Sequence, residues 1–282
     1  MKSPSAEWIS LDVEITPKLM EIGMDYALNL GASAILEAES SFQVSYENSE
    51  TGRKASKDLK QYLQHLDSNV AIQETRVQRE NWNKNWQTHF QPVAISDKLV
   101  ILPEWVATEN YDQRIKTRIR PAMAFGTGTH ETTRLCLELL EDVIRAGDHV
   151  LDLGTGSGIL GITALLLGAA DVDGVDVDPL VEENVKENLR LNGISERFRL
   201  QISENPVLSP AYDVLLVNMV RSRLLGILPE YFKSVRRGGR VILSGLLVEE
   251  DAEFRRHLNE TSWYVLESRT KNEWMAYLCD VH

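Results

Sequence analysis

The sequence predicts an α/β chain in two parts: a small α+β unit of ferredoxin-like order, then a mostly parallel, doubly wound sheet with an antiparallel edge strand. Three observations predict it. A glycine-rich turn, Gly154-Thr155-Gly156-Ser157-Gly158, joins the apolar run Val150–Leu153 to an apolar helical stretch. Beyond it, apolar runs of strand length alternate with helical stretches, the pattern of repeated β-α units. Ahead of it, residues 7–77 read β-α-β-β-α-β.

In that first unit Trp8 to Ile15 alternates with a period near two, as a half-buried strand does. Thr16-Pro17 opens a helix that runs to Leu30 and stops at Gly31, because proline is pre-set for the first helical turn and glycine for the end. Ala34–Glu39 and Phe42–Tyr46 are short strands, Ser56–Leu66 is a helix and Val70–Val77 closes the unit. Nothing in it has a catalytic pattern, so it reads as a recognition module or a stabilising appendage. Residues 78–92 form a partly helical linker, with Trp82, Trp86 and Phe90 on one face at i, i+4 and i+8. That face packs on a domain or meets a partner. The domain bounds are 1–77, 78–92 and 93–282.

In the remainder, Leu99–Leu102 and Arg114–Arg120 are short strands and Thr132–Ile144 a helix. Strand Val150–Leu153, helix Ser157–Leu167 and strand Val172–Val177 follow. A helix runs from Pro179 to Leu191, with Asp178 as its N-cap and Asn192-Gly193 as its stop. Phe198–Ile202 and Tyr212–Val217 are strands, the second ending at Asn218. Helix Arg223–Val235, a Gly238-Gly239 turn, strand Val241–Leu243 and a helix from Glu249 come next. A hairpin, Trp263–Arg269 with Glu273–Leu278, supplies the antiparallel edge strand.

A chain of 282 residues is long enough for two cores. Its formal charge of −12 argues against affinity for phosphate backbones and suits a basic protein partner. Cys136 and Cys279 are too few for a disulfide framework and lack metal spacing, which fits a cytoplasmic setting. Met1 to Ile15 has no secretory apolar core, and no apolar run approaches the ~18 residues of a membrane span. No metal, membrane or direct nucleic-acid partner is expected.

In an open α/β sheet a ligand sits outside the carboxyl ends of the strands, where strand order reverses. Four groups should meet there: the Gly154–Gly158 turn, Asp176, Asn218 and the segment Ala122–Thr133. Glycines 154 and 156 let a ligand lie against bare backbone. Asp176, 22 residues after Gly154, can accept hydrogen bonds from a ribose diol. The glycine spacing is one residue short of the dinucleotide fingerprint, and Asp152 at the mouth would repel a pyrophosphate. It suits S-adenosylmethionine, which carries a sulfonium and an ammonium. Phe125, Gly126 and Thr127, with Thr133, lie in a Gly- and Thr-rich stretch whose donors can bind a carboxylate at a helix N-terminus. On these residues alone a methyltransferase, a dehydrogenase and a purely structural glycine turn all remain open.

Phe125-Gly126-Thr127-Gly128-Thr129-His130-Glu131-Thr132-Thr133-Arg134-Leu135-Cys136-Leu137 closely resembles the signature loop of the PrmA family of bacterial ribosomal protein L11 methyltransferases. The aromatic linker Trp82–Pro92, Pro103-x-Trp105, the Leu153–Leu160 turn and Leu243-Ser244-Gly245 are similar to that family too, so the resemblance spans nearly the whole chain. It implies a Rossmann-like methyltransferase domain with cofactor contacts at Thr133, Gly154, Asp176 and Asn218. It also implies methyl transfer to lysine and N-terminal amines of L11, gripped by the small domain.

Lysine has a free pKa of about 10.4, so the acceptor must lose a proton before it attacks. Positioning and desolvation should dominate the catalysis. Asn218 can orient the amine through its carbonyl; His130 is the candidate base, unless it only hydrogen-bonds within its loop. One position departs from the family: Asn-Ile-Leu-Ala is replaced by Asn218-Met219-Val220-Arg221. Arg221 would disfavour a lysine ammonium unless Glu131 or Asp213 compensates, or it faces solvent. Base aminomethylases of related fold carry Asn-Pro-Pro-Tyr here, which this chain lacks. Another acceptor, RNA less than protein, and a non-catalytic cofactor-binding protein are the alternatives.

Overall fold

A computed structural model describes residues 7–38, 41–78, 90–121, 128–209, 211–259 and 263–281. The chain divides into two compact units, residues 1–89 and 90–282.

The first unit contains β1 (Glu7–Glu14), α1 (Pro17–Asn29), β2 (Ala34–Ala38), β3 (Ser41–Glu47), α2 (Glu50–Leu66) and β4 (Ala71–Gln78). The sheet order is β2-β3-β1-β4, with every neighbouring pair antiparallel. This is the split arrangement expected of the β-α-β-β-α-β order. Alternate residues of β1, namely Ile9, Leu11 and Val13, bury against Met20 and Ala27 of α1 and Leu59 and Leu63 of α2. Helix α2 begins six residues earlier than its apolar pattern suggests. Ser49 caps it by accepting from the Gly52 amide at 3.1 Å, so the polar stretch read as loop is its first turn. Residues 79–89, with Trp82 and Trp86 of the expected linker, lie outside the described residues.

The second unit starts with a small sheet of β5 (Val93–Ala94), β6 (Leu99–Pro103) and β7 (Ile115–Ile119). Then come α3 (Glu131–Val143), β8 (His149–Leu153), α4 (Ile159–Leu167), β9 (Asp171–Asp176), α5 (Val181–Leu191) and β10 (Phe198–Ile202). The last elements are β11 (Tyr212–Asn218), α6 (Arg221–Tyr231), β12 (Val235–Leu247), α7 (Asp251–Asn259), β13 (Trp263–Lys271) and β14 (Trp274–Val281). Seven of these strands form one sheet in the order β10-β9-β8-β11-β12-β14-β13. The first five run parallel; β14 runs antiparallel to both of its neighbours. The reversed strand therefore lies one place in from the edge, and β13 is the edge itself.

Chain order runs outward from β8 to one side, then resumes at β11 on the other, which opens a crevice above their carboxyl ends. Both faces of the sheet are covered, so β8 and β11 are apolar throughout their centres. Val150, Val214 and Leu216 pack with Leu137, Leu140 and Ile162 on one face. Leu151, Leu215 and Val217 pack with Leu224, Phe254 and Leu258 on the other.

Several boundaries differ from the sequence reading, each for a local reason. Helix α4 starts at Ile159, because Gly154, Gly156 and Gly158 all have positive φ (71°, 53° and 80°) and hold the chain in a turn up to it. Asp178 caps not a helix but the turn before α5: its carboxylate accepts from the Leu180 amide at 2.9 Å. The Gly238-Gly239 turn is a bulge inside β12, whose pairing with β11 shifts between Tyr212 and Val214.

The outer edge of β7 pairs with no strand among the described residues. Side-chain amides of α5 serve it instead, from Asn184, Asn188 and Asn192, spaced one turn apart. Asn192 exchanges two bonds with the Arg118 backbone, at 2.8 and 2.7 Å. The Arg120 amide donates to Asn188 at 2.7 Å, and Asn184 donates to the Arg120 carbonyl at 3.0 Å. No described helix is long and apolar enough to cross a membrane.

Candidate active site

At the crevice the backbone leaves β8 through the glycine turn. The Gly154 and Thr155 amides both donate to the Val175 carbonyl, at 2.8 and 2.9 Å, which ties the turn to the end of β9. Asp176 closes the arrangement. One carboxylate oxygen accepts from the Gly156 amide at 2.9 Å and the other from the Asp178 amide at 3.1 Å. Each oxygen keeps a lone pair for a ribose hydroxyl, so the donor–acceptor chemistry fits S-adenosylmethionine.

Asp152 requires a correction. It does not line the cavity: it is 1% exposed, beneath the turn. One of its oxygens accepts from the Thr155 hydroxyl at 2.7 Å and from the Gly161 amide at 3.0 Å. Its charge is used to hold the turn against α4, not to meet a cationic ligand. Burial pushes its carboxyl up to about 6, against the pull of those two donors and with the Asp176 charge adding to the rise. The folded-state value lies above the unfolded value of about 3.9, so the protonated form is favoured by folding. That stability is fully present below about pH 4 and is lost as pH rises through about 6. Asp152→Asn should therefore gain stability relative to the parent, by about 2 kcal/mol, between pH 4 and 7. Urea midpoints across that range test it; parallel curves for the two proteins would refute it.

His130 also turns out differently. It is the N-cap of α3, and its Nδ1 accepts from the Thr132 amide at 3.2 Å and lies 2.8 Å from the Thr132 hydroxyl. With Nδ1 committed as an acceptor, the neutral ring carries its proton on Nε2. It then has no lone pair left to take a proton from an amine. Its edge meets Trp274, ring centres 4.9 Å apart.

Thr133 is fully buried, and its hydroxyl accepts from the Asn218 amide at 3.4 Å, which joins the start of α3 to the end of β11. Phe125, Gly126 and Thr127 lie outside the described residues. Arg221 is taken up by two carboxylates of the following segment, Glu250 at 2.9 Å and Glu253 at 2.5 Å. Neither Glu131 nor Asp213 reaches it; Glu131 accepts from Asn272, and Asp213 serves the His149 amide and Arg236. Arg221 braces α6 against α7 and does not line the cavity.

The cavity measures about 810 Å³. Gly154, Gly156, Asp176, Thr133, His130 and Asn218 all line it, with apolar walls from Ile159, Leu160 and Val181. Met219, directly after Asn218, lines it as the residues past that asparagine were expected to, but sequence reasoning missed Arg223, Tyr231, Gly245 and Trp274 on the same walls. These four come from α6, β12 and β14, and only the Leu243-Ser244-Gly245 motif gave any signal for them. Among the described residues the lining carboxylates, Asp176, Asp178 and Glu204, come from the β9 and β10 side. Among the described residues no group of three His, Cys, Asp or Glu could hold a metal.

A seven-stranded sheet in this order, reversed at its sixth position, with a glycine turn and an acidic strand end at its switch point, places the molecule in the Rossmann-like class of S-adenosylmethionine-dependent methyltransferases. A solved ribosomal protein L11 methylase from Lactobacillus delbrueckii subsp. bulgaricus superposes with a TM-score of 0.63 at 28% identity, covering 68% of this chain and 100% of that one. The chain belongs to the ribosomal protein L11 methyltransferase (PrmA) family, whose model matches residues 8–280. A relative from Pelobacter propionicus is 39% identical over 205 residues, 71% of this chain, and one from Exiguobacterium sp. is 35% identical over 205 residues, 72% of this chain; both are called ribosomal protein L11 methyltransferase. The matched stretch spans 66% and 65% of their own lengths, just short of two thirds.

Proposed function

We propose that this chain transfers methyl groups from S-adenosylmethionine to lysine side-chain and N-terminal amines of large-subunit ribosomal protein L11. The observation that carries the reading is Asn218: its amide nitrogen is committed to Thr133, so its carbonyl faces the task of accepting from an amine. The cofactor, when bound, supplies an electrophilic methyl on sulfur. Thr133, Gly154, Gly156, Asp176 and Asn218 would hold it, Asp176 through the ribose; Phe125, Gly126 and Thr127 lie outside the described residues, and the sequence alone assigns them to its carboxylate end.

The acceptor wall, built from α3, β11, α6, β12 and β14, has among its described lining residues no carboxylate and one cation, Arg223. An ammonium is disfavoured there and a neutral amine is not. Desolvation and like charge thus favour release of the ammonium proton to water, without a dedicated base, and Asn218 then aligns the lone pair. The net charge of −12 suits a basic substrate protein. Both thiols are buried and pushed up to about 12, inert as in a cytoplasmic enzyme.

The test is a transfer assay. The protein is incubated with methyl-labelled S-adenosylmethionine and ribosomal proteins from cells lacking the enzyme, and the products are read by mass spectrometry. Label on L11 amines is the expected result; label on another protein or on RNA would replace the acceptor assignment. The small unit is assigned to gripping the substrate. A chain of residues 90–282 should bind the cofactor as the full chain does and lose transfer to L11 by about 100-fold or more, because remote binding energy is gone. Undiminished transfer by the shortened chain removes the recognition role.

A further inference from the structure

The asparagine ladder of α5 does not serve β7 uniformly. Asn192 bonds only to the Arg118 backbone and to its own helix. Asn188 reaches two ways. Its Oδ1 accepts from the Arg120 amide at 2.7 Å, and its Nδ2 donates to the Ser157 carbonyl at 2.8 Å. It is wholly buried. Ser157 lies in the glycine turn between Gly156, whose amide meets Asp176, and Gly158, which leads into α4. Arg120 directly follows β7 and precedes His130 and Thr133 in the sequence. Its carbonyl is held by Asn184, and its guanidinium by Glu104 at 2.7 Å and Glu187 at 3.0 Å.

One side chain therefore ties the glycine turn, which lines the cofactor cavity, to the end of the small sheet. We infer that Asn188 is a positioning residue for cofactor capture, fixing the glycine turn relative to the backbone at the end of β7; this rests on the cofactor reading above. A buried amide suits the task because it donates and accepts at once, and either bond lost leaves a buried backbone group unpaired. Asn192 supplies the comparison. It makes the same kind of bonds to the same strand edge one helical turn away, yet touches nothing in the turn.

The experiment titrates S-adenosylhomocysteine into the full-length chain, Asn188→Ala and Asn192→Ala by calorimetry, with melting temperatures recorded for each. Both variants should melt lower. Only Asn188→Ala should lose affinity, by at least about tenfold. In turnover its KM for the cofactor should rise while its KM for the protein acceptor stays unchanged. Amide exchange at residues 154–158 should quicken in that variant alone. If Asn188→Ala does not fold, Asn188→Ser is used, whose hydroxyl can keep one bond. Equal losses of affinity in the two asparagine variants, or none in either, overturn the inference and leave Asn188 a structural residue. A parent chain that does not bind S-adenosylhomocysteine overturns the cofactor reading itself, and this inference with it.

Discussion

Replacing Asp176 by alanine should lower affinity for S-adenosylmethionine by about 100-fold or more, since each hydrogen bond to a charged acceptor contributes about 1.5–3 kcal/mol. The carboxylate works in two directions. It offers acceptor lone pairs to the ribose, and it holds the Gly156 and Asp178 amides that shape the turn beneath the ligand. Alanine removes both functions. Asp176→Asn keeps the shape but exchanges one acceptor oxygen for a donor, so its loss should be intermediate. Calorimetric titration measures the affinities. A change of less than about threefold in Asp176→Ala, far below one such bond, would mean that the ribose is held elsewhere.

Gly245→Ala should disable the enzyme from the opposite wall. Gly245 has a φ of 92°, which an L side chain rarely adopts. A Cβ there would overlap the carbonyl carbon and oxygen of Met219 and fall 3.0 Å from its nitrogen. Met219 cannot easily retreat, because its amide donates to the Ser244 carbonyl at 3.0 Å. The combined strain of conformation and overpacking is about 3 kcal/mol, and its relief pushes the end of β11 and Asn218 out of place. Methyl transfer should fall further than cofactor affinity does. Gly154→Ala is the informative comparison: its Cβ meets the Cε of Met219, the free end of a flexible side chain, although its φ of 71° still carries a penalty. Thermal melts together with initial rates distinguish the two. A Gly245→Ala protein melting within about 2 °C of the parent, and transferring normally, would show that this close approach is dispensable.

The doubly wound sheet was legible because its evidence is local. Val150–Leu153 and Tyr212–Val217 are apolar enough to be strands buried on both faces, and the glycine turn and Asp176 sit at fixed distances along one β-α-β unit. What a sequence pattern does not reveal is depth. Asp152 looked like a charge at the mouth and proved to be a buried brace, since a carboxylate reads the same whether it faces a ligand or a backbone amide. His130 looked like a base, but the tautomer is set by the Thr132 amide, a partner that only the helix start defines. The acceptor wall was least legible because its parts meet only after strands far apart in sequence pair: Gly245 reaches Met219, and Trp274 reaches His130. The role of Asn184, Asn188 and Asn192 was not legible either: polar residues one turn apart read as a solvated helix face until β7 lies beside them.

The uneven placement of charge around the cavity has a consequence for how such a protein can change over generations. The side that carries Asp176, Asp178 and Glu204 is encoded between residues 153 and 204, while Asn218, Arg223, Tyr231, Gly245 and Trp274 are encoded from 218 onward. A mutation at Arg223, Tyr231 or Trp274 can re-shape the acceptor wall while leaving Gly154, Gly156 and Asp176 in place. New acceptor choices are thus accessible by single steps at such positions, whereas Asn218 and Thr133, which serve both the methyl donor and the acceptor wall, have no such freedom.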